Sequence, residues 1–322
     1  MTCLCTLDIA NDPEVELVVC SVRVDRHYAA LVPSLKAGKS VLVEWPLAKS
    51  AAEAREMLRL KNEGGVKKAE VVLQARRSPF IHALKNEIEK GTIGKVLSST
   101  WSASAGAGGP TTTQGGKYLG DKDVGGNLVT IHLAHAIDYV QYVLGYKVGN
   151  PSALLRTRRP TVTLMNDDGT IGNENVPKTA DDTIFVSGEL GDDRIPTSWS
   201  LLGGAPFPGT PGLEWRIYGM NGTIRVTAGG PFLQIGYDDQ KIQVHEFSTG
   251  VVREVDVSKD EFDEEPSMDF PYNPAFADHA RKNVGRLYKH LAAEQESCTW
   301  EDAVERHNLL EKLYELNGYS EV

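Results

Sequence analysis

Cysteine is scarce, at four in 322 residues. Cys3 and Cys5 stand too close together to frame a fold, Cys20 sits in an apolar stretch and Cys298 is alone. Neither a disulfide framework nor a zinc-ligand spacing emerges, and reduced thiols are expected. A basic excess is also missing: 34 Lys and Arg stand against 44 Asp and Glu, a net charge of −10. That balance counts against direct binding to nucleic acid, which calls for a basic face. No apolar run reaches the roughly 18 residues that suggest a membrane span. The N-terminus has neither the basic start nor the long apolar core of a secretion signal. The expectation is an intracellular protein, cytoplasmic or nuclear. What remains, 41% hydrophobic and 24% charged residues, is an ordinary globular composition, and the length is enough for two domains.

The first part alternates strand and helix. Residues 16–21 form an apolar run, and Tyr28, Leu31 and Leu35 recur at helical spacing. Gly38 supplies a left-handed helix end. Residues 41–47 then read as a buried strand closing on Glu44-Trp45-Pro46, because proline lacks the N–H that pairing needs. Ser50-Ala-Ala-Glu53 is a capping box, and the helix it opens stops at Gly64-Gly65. A further strand, 71–74, leads to a helix with Ser78 as its expected cap and Pro79 at its first position. This order predicts a parallel sheet with crossover helices, whose ligands lie at the carboxyl ends of the strands. Only about ten residues precede Asp12. No Gly-x-Gly-x-x-Gly turn opens a helix there, and residues 106–109 and 229–230 read as loops.

Beyond Lys95 the texture changes. Alternation over 96–102, a Gly- and Thr-rich loop over 105–120 and a helix over 127–144 are followed by short runs at 153–155, 184–189, 196–200, 213–218, 223–227, 233–235, 242–247 and 251–257. These predict a large, mostly antiparallel sheet. Met220-Asn221-Gly222 marks a hairpin turn, the acidic stretch 260–265 reads as a solvated loop, and two helices, 276–291 and 301–317, close the chain. The expected fold is α/β: an N-terminally truncated Rossmann-like parallel-sheet domain over 1–94, then an α+β sheet domain over 95–322 whose last helices pack back.

Residues 12–48 resemble the Gfo/Idh/MocA family of nicotinamide-dependent oxidoreductases, in which the strand corresponding to 41–47 ends in Glu-Lys-Pro; here the catalytic Lys is Trp45. The family's second domain carries a helix with Asp, His four residues on, and a second Asp three after that. His135 and Asp138 fall on the matching positions, and Ile131 replaces the first Asp. The resemblance implies that these groups hold and polarise the reacting hydroxyl while hydride passes to the nicotinamide. Neither Trp nor Ile can handle a proton. His135 could still serve as acid or base with Asp138 at i+3 to orient it, or the pair could simply pack the helix. His132 completes His-x-x-His-x-x-Asp, but no further ligand cluster accompanies it and no metal is expected.

The runs around Ser21, Arg23 and His27, Glu44-Trp45-Pro46, Gln74-Ala-Arg76-Arg77 and Val176-Pro-Lys-Thr179 together are similar to the fungal galactose-repressor branch of the family, which also has Trp for Lys. That branch implies a regulatory homodimer that meets an acidic protein segment. By the same resemblance Ser21, Arg23, His27, Glu44, Trp45, Pro46 and Gln74 face NAD or NADP, although the missing glycine turn counts against the coenzyme. Arg76, Arg77 and His132 are candidates for contact with a small-molecule ligand or partner. The reading is a degenerate or repurposed oxidoreductase-like protein, with two rivals: an active NAD(P)-dependent enzyme on a sugar-like or secondary metabolite using His135, and a non-redox cyclase or lyase in the same cleft.

Overall fold

The computed structural model describes residues 6–145, 147–265, 274–293, 295 and 298–319, with side chains in the penultimate helix from residue 280 onward. Helix α1 (Thr6–Asn11) leads to strand β1 (Leu17–Cys20), and α2 (His27–Lys36), β2 (Ser40–Glu44), α3 (Ala51–Glu63), β3 (Ala69–Val72) and α4 (Pro79–Glu89) follow. The three strands pair in parallel in the order β1-β2-β3. Period-2 side-chain alternation divides β2 between two cores. Val41 and Val43 join Leu31, Leu35, Met57 and Leu60 on one face, and Leu42 packs with Val72, Leu287 and Leu291 on the other. Ser50 Oγ accepts from Glu53 N at 3.2 Å, as its position predicts. Ser78 makes no such bond, so Pro79 alone marks that helix start.

The remaining elements are β4 (Val96–Ala105), β5 (Thr111–Thr113), α5 (Ala134–Leu144), β6 (Val148–Arg156), β7 (Thr161–Met165), β8 (Val176–Pro177), β9 (Thr183–Leu190), β10 (Ile195–Gly203), β11 (Leu213–Gly219), β12 (Gly222–Ala228), β13 (Lys241–Glu246), β14 (Val252–Glu254), α6 (Glu261–Glu264), α7 (Pro274–Ala292) and α8 (Trp300–Glu315). Eight of the strands form one sheet in the order β14-β13-β12-β11-β4-β10-β9-β6, antiparallel except for the β4–β10 pair, and β5-β7-β8 form a small third sheet. Residues 233–235 are turn rather than strand. The acidic stretch is the short helix α6, which Asp260 caps through Phe262 N and Asp263, and Arg286 from α7 pairs with Asp260 at 2.7 Å.

Three tryptophans in register, Trp199, Trp101 and Trp215, form a row across β10, β4 and β11 on the buried face. Trp101 Nε1 donates to Tyr139 Oη at 2.7 Å, and the Tyr139 ring lies 5.8 Å from that of Trp215. Helix α5 is thereby held on the large sheet through an aromatic contact rather than a smooth aliphatic one. On its other side α5 meets α4 and the turn after β3, which brings its His135 and Asp138 toward the small sheet.

Candidate functional site

The helix carrying His135 begins as a π-helical turn, Leu128–Leu133, a distortion often found at functional sites. Asn127 nucleates it: Oδ1 accepts from Val129 N at 2.9 Å and Thr130 N at 3.2 Å, while Thr130 Oγ1 accepts from Asn127 N at 2.9 Å. Gly125, at φ +83°, lets the chain enter this turn; a Cβ there would stand 2.5 Å from Lys49 Cβ. Trp45, at the end of β2, is buried and donates from Nε1 to Thr130 O at 2.8 Å. Its ring packs 4.9 Å from that of His307 on α8, with the Arg306 guanidinium 6.0 Å from its centroid. The indole is thus a wedge between the small sheet, the π-helical turn and α8. Lys49 is turned away, paired to Glu53 at 3.3 Å.

Asp138 departs from the reading of it as an orienter of His135. It is fully buried and accepts from Arg76 Nη2 at 2.7 Å, Arg76 Nε at 3.1 and 3.2 Å, and Arg306 Nη2 at 2.7 Å. Arg76 Nη1 also reaches Asp302 at 3.1 Å. Burial alone would raise the Asp138 carboxyl, but the two guanidinium groups outweigh it and hold it below the usual carboxylate range. Two arginines on one buried carboxylate make a cluster in which each charge depends on the others.

His135 and His132 are buried, and each has an Nδ1 without a hydrogen-bond partner. Desolvation keeps both neutral, pushing His135 down to about 3 and His132 to about 4. The His132 ring packs 4.9 Å from that of Phe232. Gln74, at the end of β3, is likewise buried with Oε1 unpartnered. Glu44, half-buried at the end of β2, is pushed up to about 7 by desolvation. His27 is not available to a ligand: Nε2 lies 2.8 Å from Val22 O and Nδ1 3.2 Å from Leu47 O, so the ring ties two strand ends together. Pro46 is buried beside Trp45. Arg77 donates from Nη2 to Gln295 O at 2.7 Å, toward the last helices.

Ser21 and Arg23 are exposed where β1 ends. Arg23 forms a bidentate pair with Asp25 (2.6 and 2.7 Å) and lies 5.9 Å from the Tyr118 ring centroid. Here a cleft of about 580 Å³ opens between β1 and the loop after β5, lined by Arg23, Gln114, Lys117, Tyr118, Asp121 and Thr179. Behind Tyr118 a Cβ on Gly126 would stand 3.3 Å from each of Ile131 Cδ1, Tyr118 Cε2 and Val24 Cγ1. The position of the family's first Asp is therefore closed by apolar contact. The Val-Pro-Lys-Thr run sits at the cleft edge because Lys178 pairs with fully buried Asp182 at 2.6 Å. Sequence reading missed Lys117, Tyr118, Asp302 and Arg306; a basic-aromatic pair inside a glycine loop was the signal for the first two, and nothing local marked the others.

A profile described as an oxidoreductase family with an NAD-binding Rossmann fold, Gfo/Idh/MocA, matches residues 6–71, and one described as the C-terminal domain of Gal80p matches residues 79–228. The two matches together make the chain similar to the Gfo/Idh/MocA proteins, and within them to the yeast galactose repressor. The chain is 29% identical over 234 residues to the galactose/lactose metabolism regulatory protein GAL80 of Kluyveromyces lactis, covering 70% of this chain and 51% of that protein. It is also 29% identical over 245 residues to the dehydrogenase aclE of Aspergillus oryzae, covering 76% and 65%. Among solved structures, a super-repressor mutant of Gal80p from Saccharomyces cerevisiae superposes with a TM-score of 0.82 at 25% identity, over 97% of this chain and 80% of that one. The chain spans about half the length of the curated GAL80 relatives it matches. The galactose-repressor likeness read from the motifs is upheld.

The family's coenzyme finds a partial match among the described residues. Arg23, Glu44 and Gln74, whose Oε1 has no hydrogen-bond partner, lie at or just past the carboxyl ends of β1, β2 and β3. The turns after β1, β2 and β3 contain no glycine, so none of them forms a pyrophosphate cradle. Among the described residues no group of three or more His, Cys, Asp or Glu could hold a metal ion, and no helix is long and apolar enough to cross a membrane.

Proposed function

We propose that this chain is a repurposed Gfo/Idh/MocA protein, a regulator that binds a ligand or partner in the Arg23–Tyr118 cleft instead of carrying out the family's hydride transfer. The observation that supports this is the double replacement at the reacting position. Trp45 spends its one polar atom on Thr130 O, and Ile131 closes the other side with carbon. His135 remains, but Asp138, the carboxylate three residues on, is committed to two arginines. It is left as a neutral acceptor with nothing to restore its proton.

The family profile's NAD-binding description makes NAD or NADP the ligand to test first, against the lack of a glycine turn after β1, β2 or β3 to cradle its pyrophosphate. In the dehydrogenases that coenzyme supplies the hydride chemistry; here it serves as a sensed ligand. The partner is an acidic protein segment seated against Arg23 and Lys117, and the outer face of the eight-stranded sheet, with Leu154, Phe185 and Leu202 exposed on it, makes a homodimer. A working dehydrogenase using His135 is the second reading, favoured by the likeness to aclE over three quarters of the chain.

Titration with NADH and NADPH followed by tryptophan fluorescence tests the coenzyme, since Trp45 stands at the strand end it would approach. Assay of a polyol panel with the unmodified chain and with Trp45→Lys plus Ile131→Asp tests the loss of catalysis. Polyol oxidation by the unmodified chain at the rate of the double variant would defeat the regulatory reading.

A further inference from the structure

A second cavity, of about 490 Å³, opens between α5, the start of β6 and α8, and it shares no lining residue with the Arg23–Tyr118 cleft. We propose that it binds a small organic anion, a carboxylate or phosphate ester on an apolar body. Its size suits a metabolite. Four basic side chains line it (Arg76, Lys147, Arg306 and Lys312) against two acidic ones, Asp302 and Glu305; with Asp138 paired behind the two arginines, a local excess of one positive charge remains on a chain of net −10. Val148 and Leu309 supply an apolar wall.

The deep end carries the second observation. Arg306, with a side chain only 3% exposed, uses Nη2 on Asp138 and reaches Ala134 O with Nη1 at a long 3.4 Å. Its Nε has no hydrogen-bond partner. A buried cationic donor left without an acceptor is uncommon, because water is lost and nothing replaces it. With Nη2 given to Asp138, the Nε–H is the donor left for a carboxylate or phosphate oxygen, a charge-assisted bond of the stronger kind. Lys147 and Lys312 add point charges, and the only ion pair of Lys312 among the described residues is an exposed one with Glu315 at 3.0 Å, weak enough to be exchanged. Arg306 also lies 6.0 Å from the Trp45 ring centroid, so the guanidinium that lines this cavity is the one packed against the wedge.

The test is calorimetric titration of the full chain with inorganic phosphate, succinate and hexanoate, followed by the same titrations of Lys147→Glu with Lys312→Glu. Both lysines lie outside the cleft, and circular dichroism checks that the double variant folds. Saturable binding of at least one probe, weakened tenfold or more by the charge reversal, is expected. Preference for phosphate over the carboxylates identifies the headgroup as a phosphate ester, and the reverse identifies a carboxylic acid. Absence of saturable heat with all three probes, or binding that the reversal leaves unchanged, overturns the proposal.

Discussion

At the scale of single residues, Trp45 is where the chain departs from the Glu-Lys-Pro strand end of the Gfo/Idh/MocA proteins it resembles. Replacing its indole by Phe keeps the packing on His307 and removes only the Thr130 O bond, for a loss of about 1 kcal/mol. Trp45→Ala also opens a cavity between three elements, with an expected loss of about 3–5 kcal/mol. Urea denaturation of the two variants separates the contributions; equal losses would mean that the ring is no wedge. Asp138→Asn should cost about 3–5 kcal/mol in the same measurement, because two buried guanidinium groups lose their shared counter-charge. The sequence made Trp45 and Ile131 conspicuous by comparison with the family's Lys and Asp. It could not disclose the partners of Asp138, because Arg76 and Arg306 stand 62 and 168 residues away. Helical spacing instead suggested His135, the one neighbour that periodicity can name.

At the scale of elements, the parallel strands, their crossover helices and most of the large sheet were legible because each repeats a period that solvent and core enforce. The third sheet was not: β5 and β8 have three and two residues, too short to show alternation. The acidic run folded as α6 because Asp260 caps it and Arg286 neutralises it from α7, a contact that local sequence cannot announce. The π-helical turn, α5 and α8 each bury one of three histidines, of which His132 is held at about 4 and both His135 and His307 at about 3 by desolvation. These values lie below the ordinary 6.5, so as pH falls the unfolded chain takes up protons that the folded chain refuses. Stability is full above about pH 6.5 and declines below it, by about 1.4 kcal/mol per pH unit for each histidine. Glu44 acts in the opposite sense. Its folded value near 7 is raised, so its contribution is fully present below its unfolded pKa and fades as pH rises through 7, and it offsets roughly one histidine. A net decline of about 3 kcal/mol between pH 6 and 5 is expected from denaturant titrations, and His132→Asn should reduce it by about half. A flat profile would mean that the imidazoles reach water.

At the scale of the whole molecule, a net charge of −10 sets the terms on which any acidic partner can approach. Averaged over the surface that charge repels such a segment, but fields are screened over about 10 Å at 0.1 M salt, so the local lining of a cleft decides the outcome. Arg23 and Lys117 provide that lining at the end of β1, and Asp25 tempers it by holding Arg23 in a bidentate pair. The pair fixes the guanidinium over Tyr118 rather than leaving it to wander, which lowers the entropy lost when a carboxylate arrives. Fluorescence anisotropy with a labelled acidic peptide should therefore show binding that weakens about tenfold in Arg23→Glu and again in Lys117→Glu at about 50 mM salt. Both differences should shrink as salt rises to about 0.5 M, as expected for exposed charges. Asp25→Asn should do the reverse at low salt, freeing positive charge and tightening the complex a few-fold. Were the peptide to bind equally well to the Glu variants at every salt concentration, its seat would have to lie on another face of the molecule, and the resemblance to the galactose repressors would extend to the fold without extending to this cleft.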